Sequence, residues 1–78
     1  MSQIDLLCAP VDRELTVVDI LAGPHPRRRL ISMGIHPGDR LMKYKSANWG
    51  PVLVRNVTQN ATRIAIGRGL AQKIIVTP

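Results

Sequence analysis

Apolar residues along the chain recur mostly at every second position, in short runs bounded by glycine, proline or asparagine, and this spacing predicts strands. Arg40 to Lys45 alternates, with Leu41, Lys43 and Lys45 on one side and Arg40, Met42 and Tyr44 on the other. Pro51 to Val57 reads as a second extended segment, and Ser46 to Gly50 can join the two as a hairpin. Asn60-Ala61 predicts a turn, after which Thr62, Ile64 and Ile66 alternate with Arg63 and Ala65 as a third strand. Ile74 to Thr77 is a short β-branched strand ended by Pro78, and Ile4, Leu6 and Leu7, followed by Pro10, suggest an extended entry segment. Glu14 to Leu21 has two readings: Val17, Val18 and Ile20 favour a strand, whereas Thr16 with Asp19 can open a helical turn.

Two stretches break the period of two. Pro26 to Gly34 predicts a short helix, because proline is tolerated in a first turn, Leu30 and Met33 fall on one face, and Gly34 suits the position after the helix. Gly23-Pro24-His25-Pro26 before it reads as a local turn, and Ile35-His36-Pro37-Gly38-Asp39 after it as a reversal into a strand that begins near Asp39. Gly67-Arg68-Gly69 breaks the third strand, leaving Leu70 to Lys73 room for one helical turn. Four or five short strands with one or two short helical insertions predict a mainly β fold, a small barrel formed by a single domain over residues 1–78. Barrel closure leaves few unpaired strand edges and lets alternating side chains form one core from a short chain.

Composition narrows the functional classes. A chain of 78 residues has a small core, so a deep internal substrate cavity is not expected, and with Tyr44 and Trp49 as its whole aromatic content the packing must be aliphatic. Residues 1–19 carry four acidic groups against Arg13, a net of −3, while residues 20–78 carry ten basic groups against Asp39, a net of +9. This asymmetry draws the body of the domain toward acidic protein surfaces, nucleic acid or anionic lipid heads without choosing among them. Cys8 has no cysteine to pair with, no apolar run is long enough to span or insert into a bilayer, and the start lacks a secretory pattern; a cytoplasmic location is expected.

Candidate chemistry is sparse. Cys8, His25, His36 and Asp39 are potential metal ligands, but gaps of 17 and 11 residues match no compact zinc pattern, so no metal site is predicted. Cys8 with either histidine lacks an orienting third group, Ser32 reads as a surface or packing serine, and Gly67-Arg68-Gly69 is too short for a phosphate loop. Neither a catalytic residue nor a cofactor is expected. Arg27, Arg28 and Arg29 form a basic cluster that is a solvated face, a contact for an acidic protein or, given the missing base-stacking aromatics, least favourably a nucleic-acid contact. Tyr44 and Trp49, on or beside the Ser46 to Gly50 hairpin, either cover one end of the core or take part in recognition.

Arg29-Leu30, Met33-Gly34, Pro37-Gly38, Ile64-Ala65-Ile66 and Ala71-Gln72-Lys73-Ile74-Ile75-Val76, in this order and spacing, resemble the ferrous iron transport protein A (FeoA) family over nearly the whole chain. The resemblance implies an SH3-like barrel and a small, noncatalytic cytoplasmic accessory or regulatory component of bacterial ferrous iron uptake. It implies as partner the cytoplasmic region of the ferrous iron transporter FeoB, with room for weak self-association. The same fold is a terminal module of iron-dependent repressors; without DNA-binding helices in this sequence, the chain resembles the stand-alone form. The expected partner-binding residues are Arg27, Arg28, Arg29, Tyr44 and Trp49, with Leu30, Met33, Ile64, Ile66, Ile74 and Val76 in the core. The alternative reading is a small nucleic-acid-binding SH3-like barrel, motivated by the +9 on residues 20–78.

Overall fold

The computed structural model describes residues 3–45, 48–59 and 63–78. Chain order is β1 (Ile4–Asp5), β2 (Glu14–Ile20), α1 (Pro24–Ser32), β3 (Arg40–Lys43), β4 (Val52–Asn56), β5 (Arg63–Ile66), α2 (Arg68–Ala71) and β6 (Ile74–Thr77). The strands form one antiparallel sheet in the order β1-β6-β2-β3-β4-β5, so the architecture is mainly β with two short helices. The order is linear, with β1 and β5 as its edges among the described residues. The expected turn at Asn60-Ala61, Thr62 of the third strand, and Ser46 and Ala47 of the hairpin connection lie outside the described residues.

The two readings of Glu14 to Leu21 resolve to a strand that pairs on both sides, with β3 and with β6. Its register against β6 passes from Val17 opposite Val76 to Asp19 opposite Ile75, which leaves Val18 as the extra residue of a β-bulge. The bulge explains why the buried positions step by two from Leu15 to Val17 and then by three to Ile20. Each inward-facing run then meets the others in one aliphatic core that includes Leu6, Leu15, Leu30, Ile35, Leu41, Val52, Val54, Ile66, Ile74 and Val76. Met33 and Ile64, expected in the core, are half-buried and pack against it.

Helix α1 begins at Pro24, two residues earlier than the sequence pattern suggested, because the first helical hydrogen bond runs from Arg27 N–H to the Gly23 carbonyl (3.0 Å). Pro24 and Pro26 therefore occupy positions whose N–H groups have no intrahelical acceptor, and neither proline removes a bond. Its end is a Schellman motif: Ile35 N–H reaches the Leu30 carbonyl (3.0 Å), Gly34 N–H reaches that of Ile31 (3.0 Å), and Gly34 takes φ +95°. Leu30 and Ile35, the apolar pair that accompanies such a cap, are both fully buried. Next comes a type II turn in which Asp39 N–H bonds the His36 carbonyl (3.1 Å) and Gly38 takes φ +93°. Gly38 N–H also bonds the Val17 carbonyl at 2.7 Å, which ties the turn to β2. Helix α2 starts at Arg68 rather than after Gly69; neither Gly67 nor Gly69 has positive φ, and Ala71 N–H bonds the Gly67 carbonyl (2.9 Å).

Candidate functional site

The residues expected at the surface separate into two regions. Arg28 and Arg29 lie exposed on α1, but Arg27 is half-buried and donates through Nη1 to the Ile20 carbonyl at 2.8 Å, so its guanidinium ties the helix to the end of β2. Ser32 donates its hydroxyl to the Arg29 carbonyl one turn back (2.8 Å). Arg29 also lines a shallow groove of about 320 Å3 with His25, Pro26 and Leu70 of α2.

The second region is the β3–β4 connection. Tyr44 N–H bonds the Leu53 carbonyl (2.8 Å), which extends the ladder and leaves the ring half-buried, with the Arg63 guanidinium 4.9 Å from its centroid. That separation is a cation–π contact. Trp49 is 87% exposed. It stands outside the aliphatic core, which includes Leu41, Val52 and Val54, and so does not cover an end of it. Among the described residues no hydrogen bond, ion pair or shared pocket joins Arg28 or Arg29 to Tyr44 or Trp49.

Between helix and sheet the chain builds a polar knot that the alternation pattern did not show. Asn56 is fully buried; its Nδ2 donates to the Gly34 carbonyl (2.7 Å) and to Asp39 Oδ2 (2.8 Å), and its Oδ1 accepts from Gln59 N–H (3.2 Å). The same Asp39 oxygen accepts from His36 N–H (3.1 Å) and from Gln59 Nε2 (3.1 Å), and lies 3.2 Å from His36 Nδ1. Gln59 Nε2 is also 3.1 Å from His36 Nδ1, so that nitrogen accepts from Gln59 in one tautomer and donates to Asp39 in the other. This cluster fastens the end of α1, the type II turn and the end of β4 to one another.

Lys43 is the other buried polar residue that sequence reasoning missed. Its ammonium donates to the Leu7 and Ala9 carbonyls, both at 2.8 Å, and holds the segment after β1 against β3. Burial pushes its pKa below the ordinary lysine value, Cys8 and Asp5 oppose that shift, and Arg68 adds to it. Cys8 and His25 are exposed and far apart in the chain, and among the described residues no three His, Cys, Asp or Glu side chains gather in one place.

Comparison with known proteins places this architecture. The FeoA domain model matches residues 5–78. A protein of Methanocaldococcus jannaschii provisionally described as Fe(2+) transport protein A is 44% identical over 71 residues, covering 91% of this chain and 82% of that protein. The crystal structure of an iron uptake regulatory protein (FeoA) superposes with a TM-score of 0.83 at 31% identity, covering 99% of this chain and 97% of the other. The zinc complex of Stenotrophomonas maltophilia FeoA, described as a prokaryotic SH3 domain protein, has a TM-score of 0.77 at 22% identity over 95% of this chain and 89% of its own, a likeness of fold. A domain match over nearly every residue, a relative well above the identity needed for common descent and an SH3-like fold converge: the chain belongs to the FeoA domain family.

Proposed function

We propose that this protein is a noncatalytic accessory factor of ferrous iron uptake that acts in the cytoplasm by contact with the transporter FeoB. Family membership supports the pathway, and the Stenotrophomonas maltophilia relative is described in terms of activating ferrous iron transport. The observation that carries the contact reading is Trp49, an indole 87% exposed beside a core that is otherwise wholly aliphatic. A tryptophan held in solvent is poor for stability and good for recognition. Covering it removes on the order of 150 Å2 of apolar surface from water, about 4 kcal/mol at ~25 cal/mol per Å2 before ordering costs. Exposed Arg28 and Arg29 supply a second, cationic contact that steers an acidic partner surface.

Such a factor regulates its partner only by binding two of its states unequally. A tenfold difference in affinity corresponds to about 1.4 kcal/mol of bias, enough to shift a nucleotide cycle or a gate without any metal bound to the adaptor. Iron is cargo of the transporter in this scheme. Direct binding of the purified chain to solubilised FeoB, repeated with Trp49→Ala and with the double variant Arg28→Gln/Arg29→Gln, tests the reading. Saturable binding is expected, weakened by the first variant and less dependent on salt with the second. Absence of binding, or affinities and salt responses that neither variant alters, would reject the proposed surface, and salt-sensitive binding to DNA or RNA instead would favour the nucleic-acid alternative.

A further inference from the structure

Next to the β3–β4 connection lies an open pocket of about 280 Å3. Its lining divides into carbon from Leu7, Val11 and Val52 and charge from Lys43, Lys45 and Arg68. Four separate stretches, β3 with the residues after it, the start of β4, α2, and the segment following β1, bring these groups together, and the gathered cations repel one another. Among the described residues none of the three cations forms an ion pair; the pairs there are His36 with Asp39 and Arg40 with Glu14. Lys43 is 7% exposed and uses two of its three N–H groups on the Leu7 and Ala9 carbonyls, which leaves one donor without an acceptor among the described residues. Asn48, also on the rim, is the neighbour of Trp49 in the chain.

We propose that the Lys43–Lys45–Arg68 pocket receives the carboxylate of an acidic residue from an apolar-flanked segment of a partner protein, whose flank covers Trp49. The inference rests on the contact reading above and names the chemistry the partner must present. Unpaired cations select an anion, and the Leu7, Val11 and Val52 wall suits an anion on a hydrocarbon stem better than a bare inorganic ion. A carboxylate entering here supplies acceptors to Lys45, Arg68 and the remaining N–H of Lys43, and its chain continues over the exposed indole.

Amide NMR spectra of the full chain, titrated with acetyl-Ala-Leu-Glu-Leu-Ala-amide, with the same peptide carrying Gln for Glu, and with inorganic phosphate, test the proposal. The Glu peptide is expected to shift the amides of Val11, Lys45 and Asn48 and the Trp49 indole N–H, and to bind at least tenfold more tightly than the Gln peptide. Lys45→Gln and Arg68→Gln are each expected to weaken it severalfold while the unfolding midpoint stays in place. Lys43 is left intact, because it also anchors the N-terminal segment. Equal affinity for the two peptides, shifts confined to α1, no shifts at all, or tighter saturation of the same residues by phosphate would each overturn the assignment. The transporter is absent from this titration, so a failed pocket leaves the Trp49 contact standing, whereas a chain that takes the Glu peptide but ignores FeoB keeps the pocket and loses the proposed partner.

Discussion

Replacing Asn56 with leucine removes the polar groups of the knot while keeping a branched side chain with the same number of heavy atoms in a fully buried site; the methyl groups are bulkier, so tighter packing adds to the loss. The substitution removes three hydrogen bonds: two donated by Nδ2, to the Gly34 carbonyl and Asp39 Oδ2, and one accepted by Oδ1 from Gln59 N–H. Only one side of each pair is deleted. The partners remain in place with no replacement, and that asymmetry makes the loss larger than the net value of a typical hydrogen bond. Taken at their net values as a lower bound, two neutral bonds at about 1 kcal/mol each and one to a carboxylate at roughly 1.5–3 kcal/mol give an expected loss of at least about 4 kcal/mol. A domain of this length has a total stability of roughly 4–12 kcal/mol, so the variant is expected to be partly unfolded at the low end of that range. Urea denaturation of both proteins is the assay. With a slope of about 1 kcal/mol per molar urea, the midpoint should fall by at least about 4 M, or the folded baseline should be lost, while the slope of any remaining transition is unchanged. A loss below about 1 kcal/mol would refute the argument that the knot fastens helix, turn and strand together.

Four further outcomes are expected. Trp49→Ala should leave stability within about 0.5 kcal/mol, because the side chain is almost wholly in solvent, yet weaken transporter binding by about 2 kcal/mol, roughly thirtyfold; a large drop in unfolding midpoint would contradict its exposure. Gly34→Ala should cost about 1–2 kcal/mol from φ +95° alone, since a Cβ there meets Gln59 Oε1 at an ordinary 3.6 Å, and thermal unfolding should move down by about 4–15 °C. Leu41→Ala, fully buried on β3, should cost about 2–5 kcal/mol in the same measurement. The Lys43 pKa is depressed in the folded protein, so in the window between its folded value and the ordinary 10.5 the unfolded chain binds more protons and stability rises with pH. Lys43→Met should lack that rise, so the wild type gains relative to the variant as pH approaches 10.5, and parallel curves would contradict a buried, destabilised ammonium.

Local patterns reveal the strands here because each buries one face only. Leu41 with Lys43, Val52 with Val54, and Ile74 with Val76 alternate in sequence as they do in burial, and the Pro37-Gly38 turn with Gly34 after the helix is legible from the backbone conformations those residues favour. The start of α1 is less legible, because two closely spaced prolines read as a turn although both fit a first helical turn. The bulge at Val18 shifts the phase of β2 midway, which made that segment ambiguous between strand and helix. What local reading could not supply were the buried polar groups. Lys43 finds its acceptors 34 and 36 residues back along the chain, and Asn56 finds its acceptors 17 and 22 residues back, so no short-range spacing marks them. Arg68 reads in sequence as part of a chain break, and only the fold of α2 brings it to the same pocket as Lys43 and Lys45. The basic cluster was visible, but not that Arg27 would be tied to Ile20 while Arg28 and Arg29 stay exposed.

Trp49 is the sole tryptophan, so replacing it with fluorotryptophan gives one fluorine NMR resonance that reports directly on the proposed contact. Titration with solubilised FeoB should shift or broaden that resonance to saturation, with recovery on adding unlabelled chain in excess. A resonance that keeps the position and width of free, solvated indole at transporter concentrations saturating for binding, or a chain that does not bind at all, would contradict the claim that this domain works by laying Trp49 against the transporter.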